Sequence, residues 1–212
     1  MMDAAEQRRA DRIAGGALIA GAMLSVLVMA HHPEHVDPNG IVGLVHGAML
    51  TLMTIIFYGF AHFALRRGVA RPPILAGLIC YAIGVVADLG AGTTNGFIVP
   101  ALAAHGSVLS GRDVFLLAWE ANQALARLGV FATAAAFVFW SLDFLRRPGF
   151  EAKAIGALGL IAGIGPASLL ISGVIDMHVA GAFLAYAAFA LWGVLVGFHL
   201  VRGGLGQAGA EA

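Results

Sequence analysis

Six apolar runs, separated by short polar intervals, divide the chain at residues 13–30, 41–65, 74–89, 124–145, 154–175 and 179–200. A helix crossing a hydrocarbon core of about 30 Å needs roughly 17–25 predominantly apolar residues. Five of the six runs meet that length. The third is shorter and carries Asp88 near its end, where the weakly polar stretch 91–94 lengthens it. The pattern predicts an all-α, polytopic membrane protein: one domain, a six-helix bundle over 13–200, flanked by the segments 1–12 and 201–212.

Composition excludes a soluble alternative. Of 212 residues, 60% are hydrophobic and 11% charged, whereas a soluble domain carries about a quarter charged residues. The 29 glycines suit helices that approach closely in lipid, where small residues form the interfaces.

The basic residues give the runs an orientation. Arg8, Arg9 and Arg12 precede the first run, Arg66, Arg67 and Arg71 separate the second from the third, Arg146, Arg147 and Lys153 separate the fourth from the fifth, and Arg202 follows the last. Ten of the twelve Lys and Arg residues thus fall on one side of a strictly alternating topology. Positive charge stays in the cytoplasm, so both termini are expected there. The many Ala, Gly and Arg residues beside a single Lys point to a GC-rich bacterium and its cytoplasmic (inner) membrane. A cleaved leader ending at Val28-Met29-Ala30 is the rival for the first run, but 18 apolar residues exceed a signal core of about 7–15.

The two sides differ. Cytoplasmic connections are short and basic and contain Pro72, Pro73 and Pro148. The outer side holds the tract His31-His32-Pro33-Glu34-His35 and a long segment, 90–123, between the third and fourth runs. That segment includes Thr93, Thr94, Asn95, His105 and Arg112, and too many apolar residues for disorder; it reads as an interfacial or re-entrant element over the outer mouth. The resemblance of Ala64-Leu65-Arg66-Arg67 to Phe144-Leu145-Arg146-Arg147 is no more than positive-inside loops produce, so it supports no internal repeat.

Depth sorts the polar groups. At about 1.5 Å per residue, His46 lies about a turn and a half inside the outer end of its helix, and Asp88 lies about 21 Å up a core of about 30 Å. Glu120 and Arg127 are about 20° apart around a helix axis, with Gln123 about 60° away, so they are expected to form one stripe facing the bundle. Asp176 and His178 join the fifth and sixth runs. Ionisable groups inside a membrane mark functional sites by default. The expectation is an outward-facing polar site in which Asp88, Asn95, Glu120 and Arg127 bind a small solute or ion for transport or sensing.

Other chemistries use the same residues. His46, His178 and Asp176 suit a metal (Zn, Fe, Mn or Cu), which makes a membrane metalloenzyme the alternative. No spacing such as HExxH forces ligands onto one face. The histidine-rich tract 31–35 suits metal capture or pH sensing. A single haem between His62 and His199 is a lesser option. His46 and His62 stand about 160° apart on their helix, which argues against two stacked haems. An accessory subunit of a membrane complex also remains open.

The zero net charge leaves no basic excess to suggest nucleic acid, and none is expected as a partner. The partners expected are the lipid bilayer, a small solute or ion, and a second copy of the chain. Cys80, the only cysteine, forms no intramolecular disulfide or CxxC site. Trp119, Trp140 and Trp192, like the Phe and Met residues, read as interface and packing groups.

Overall fold

A backbone removed from water must satisfy its own N–H and C=O groups, which a helix does within one segment. Each apolar run accordingly forms a helix. The computed structural model describes residues 3–33, 40–104 and 112–205, and among these there is no strand. The helices are α1 (Ala4–Ala30), α2 (Val42–Arg67), α3 (Pro72–Thr93), a π-helical turn (Thr94–Ile98), α4 (Val99–Ala104), α5 (Arg112–Leu145), α6 (Phe150–Ile171) and α7 (Val179–Val201).

Six helices are long and apolar enough to cross a membrane, α3 being continuous through the π turn with α4 over Pro72–Ala104. This is compatible with a multi-pass integral membrane protein. Only 28–39% of the apolar window is buried inside the bundle for five of them. Side chains such as Leu44, Val86, Ile161 and Leu191 form an apolar outer face, as expected where lipid is the solvent. The exception is α5, with 56% of its window buried, which packs against both α3 and α6.

Local sequence sets the helix ends. Asp3 caps α1 by accepting from the backbone N–H groups of Ala5 and Glu6 at 2.8 Å, and Glu6 accepts from the Asp3 N–H at 3.2 Å. That reciprocal box starts the helix nine residues before the apolar run. Pro72 and Pro73 open α3, where their missing N–H groups would be unpaired in any case. The segment 90–123, expected as an interfacial or re-entrant element, is mostly helical in its described residues: it extends α3 through the π turn and begins α5 early. His105 lies outside the described residues, as do Glu34 and His35.

Neighbours around the bundle run α1–α2–α3–α5–α6–α7, and α7 closes the ring against α1. Its centre is an aromatic layer. Phe60 of α2 packs on both Trp140 of α5 and Trp192 of α7, at centroid distances of 5.3 and 5.7 Å, the two indoles being 6.3 Å apart, and Phe137 packs on Trp192 at 4.2 Å. The two indole N–H groups are satisfied by backbone carbonyls, Trp140 by Ile74 and Trp192 by Ile155.

Ion pairs bind one end of the ring. Asp11 of α1 accepts two bonds from Arg66 of α2, at 2.7 and 3.0 Å, and lies 2.8 Å from His62. Asp143 of α5 pairs with the fully buried Arg67 and with Arg71. His199 of α7 meets Glu151 of α6 at 3.0 Å. This is the arginine end. His32, His46, Asn95 and His178 lie at the other, the histidine end.

Candidate functional site

A cavity enters the bundle from the histidine end and stops at the aromatic layer. Its outer chamber, about 190 Å3, adjoins an inner one of about 70 Å3, and the two share Met29, Met49, Met53, Asp88 and Tyr186 in their walls. Phe60, Tyr81 and Phe137 line the inner chamber. The volume lies below the roughly 300–1,000 Å3 of sites for drug-sized ligands, so the cavity suits a small solute or an ion.

Asp88 stands where the chambers meet. It is 7% exposed and accepts a hydrogen bond from the Tyr186 hydroxyl at 2.8 Å. Its carboxylate lies against Gly129 of α5, where a β-carbon would collide with Oδ1. Glycine at 129 therefore makes the space that the carboxylate fills. The other two buried carboxylates among the described residues, Asp11 and Asp143, are each paired with arginine. Among the described residues no Lys, Arg or His lies within ion-pairing distance of Asp88.

His46, 3% exposed, lies nearer the mouth. The π turn carries Asn95 to within 3.3 Å of its Nε2, and Gly96 packs so closely on the imidazole that a β-carbon there would overlap it. Single π turns recur at functional sites because the extra residue re-aims side chains. Here it brings an amide onto a histidine 49 positions away. His32, just past the end of α1, reaches the same histidine: the two Nε2 atoms are 3.2 Å apart. Burial pushes the His32 imidazole below its ordinary pKa.

The expected site residues divide. Asp88, Asn95, His46 and His178 line one cavity. Glu120 and Arg127 do not: both are exposed and outside its wall. The reason is twofold, the way α5 is turned between α3 and α6 and its length. At 34 residues it extends about 51 Å, so Glu120 lies above the apolar window, and Arg127 is near enough to that end to snorkel. Of the stripe expected to face the bundle, Gln123 alone does so, donating to the Met177 carbonyl at 3.3 Å; its neighbour Asn122 lines the cavity.

Asp176 is exposed and accepts from the His178 backbone N–H at 3.0 Å. His178 stands at the rim beside Trp119, ring centroids 5.3 Å apart. Among the described residues no three His, Cys, Asp or Glu side chains are grouped to hold a metal ion, so His46, His178 and Asp176 are not drawn together as a ligand set. His62 and His199, considered as haem ligands, engage Asp11 and Glu151 respectively.

Tyr186, Met49 and Met53 were not singled out from sequence. Tyr186 reads there as one more aromatic in an apolar helix. His32 belongs to the tract read there as suited to metal capture or pH sensing, but its approach to His46 was not expected. Met49 and Met53 read as packing, though with His46 they follow an i, i+3, i+7 spacing that puts all three on one helical face. No protein-family model matches the chain, and no curated protein or solved structure proves similar to it.

Proposed function

We propose that this protein is a multi-pass protein of a bacterial cytoplasmic membrane that binds a small cationic solute or ion from the outer side. The occupant enters at the histidine end and is held by Asp88. The arginine end then faces the cytoplasm, in keeping with the retention of positive charge there.

The observation that carries this reading is the contrast among buried carboxylates. Asp11 and Asp143 have arginine partners, and Asp88 has a tyrosine hydroxyl and an open cavity instead. A buried charge must be paired, hydrogen-bonded or neutralised. A hydroxyl satisfies one lone pair of the carboxylate and leaves the charge uncompensated. A cation entering the cavity supplies the missing charge, and the aromatic floor of Phe60, Tyr81 and Phe137 offers ring faces that attract an ammonium or guanidinium group. Transport and sensing both begin with this binding step. The reading is tested by cation-dependent stabilisation of the purified chain, retained in the wild type and lost in Asp88→Asn.

A further inference from the structure

His32 and His46 meet at the mouth of the cavity in an arrangement that two neutral imidazoles do not satisfy alone. The His46 Nδ1 lies 2.9 Å from the Val42 carbonyl oxygen, and the His32 Nδ1 lies 2.8 Å from that of Pro33. A carbonyl only accepts, so each Nδ1 carries the hydrogen and each Nε2 presents a lone pair. Those two lone pairs face one another across 3.2 Å. The Asn95 amide, 3.3 Å from the His46 Nε2, donates to one of them; the His32 lone pair finds no hydrogen on His46, and an electrophile between the rings that displaces this amide engages both.

The spacing suits a metal ion. Two metal–nitrogen bonds of about 2.0–2.1 Å meeting at a tetrahedral angle place their nitrogens roughly 3.3–3.4 Å apart. A histidine whose other nitrogen donates to a carbonyl is also the oriented form that metal ligands take. The surroundings choose the ion. His46, Met49 and Met53 lie within about 60° of one another around α2, and Met29 and Met177 line the same chamber. These are four of the five methionines among the described residues. Among the described residues Asp88 is the one carboxylate in that wall, and Tyr186 already engages it. Imidazole and thioether without added negative charge favour soft Cu(I); a divalent ion would keep a larger uncompensated charge in a buried site.

We propose that His32 and His46 hold one Cu(I) ion at the mouth of the cavity, with a methionine thioether from the same chamber completing its coordination. The site does not depend on the reading of Asp88.

The test is an anaerobic titration of the detergent-purified full chain with Cu(I), in competition with bathocuproine disulfonate. One Cu(I) per chain is expected, with affinity at least tenfold weaker in His32→Ala and in His46→Ala, a smaller loss in Met49→Leu, and none in Asp88→Asn. X-ray absorption of the loaded wild type is expected to show both nitrogen and sulfur ligands. Because His46 packs on Gly96, His46→Ala is open to misfolding; His32→Ala, beyond the end of α1, then decides, with an unchanged melting temperature as its control. The proposal is overturned if the wild type retains no Cu(I), if His32→Ala binds it as tightly, if sulfur is absent from the coordination, or if Zn(II) binds stoichiometrically in preference to Cu(I).

Discussion

The hydroxyl of Tyr186 donates to the carboxylate of Asp88 at 2.8 Å, linking α7 to α3 across the inside of the ring although neither helix is the other's neighbour. A hydrogen bond to a charged group contributes about 1.5–3 kcal/mol. Tyr186→Phe is therefore expected to destabilise the protein by about that much. In an Asp88→Asn background the same change should cost clearly less, because the charge it served is gone. Unfolding of the four proteins in detergent gives the coupling energy, and strict additivity would contradict the relationship.

Gly129 supplies a second route to the same carboxylate without touching a polar group. A β-carbon at 129 would collide with Asp88 Oδ1 and lie 2.6 Å from its carboxyl carbon. Gly129→Ala is expected to cost about 1–3 kcal/mol through overpacking and to abolish any ligand response that depends on Asp88. Gly16→Ala in α1, with nothing within 4 Å of the added carbon, is the control and should leave both properties unchanged.

At the arginine end the charges are structural. Arg67 is fully buried, pairs with Asp143, and has its guanidinium carbon 5.2 Å from the centre of the Phe144 ring. Removing one partner of a buried pair typically costs about 3–5 kcal/mol, whereas replacing both with apolar groups is far milder. Thermal unfolding should therefore rank Asp143→Asn below the double variant Arg67→Met with Asp143→Leu. The opposite ranking would mean that Arg67 is served by other acceptors.

How much of this was legible in sequence follows from the range of the interactions involved. The six helices rest on local hydropathy, and six helices long and apolar enough to cross a membrane are found in the structure; the orientation expected of them rests on charges a few residues apart. Asp88 stood out because a carboxylate deep in an apolar run is costly wherever it points. Its partner did not, since 98 positions separate Asp88 from Tyr186 and tyrosine is unremarkable in such a helix. Glu120 and Arg127 were misplaced for a geometric reason. Their shared helical face was read correctly, but which way that face turns depends on the packing of α5 between α3 and α6, which no spacing along one helix reveals. The π turn is similar: the segment holding Thr93, Thr94 and Asn95 reads as an interfacial or re-entrant element, and the chain instead continues through one wider turn that aims Asn95 at His46.

The claim on which the account turns is that Asp88 is a cation site. It is tested most directly by thermal unfolding of the full chain in nanodiscs at pH 8, with methylammonium, guanidinium, tetramethylammonium and sodium titrated in turn. At least one of these should raise the melting temperature of the wild type in a saturable way, as a ligand that binds only the folded state must, and Asp88→Asn should show no such rise. A wild type indifferent to all four, or an Asp88→Asn variant that responds equally, would contradict it.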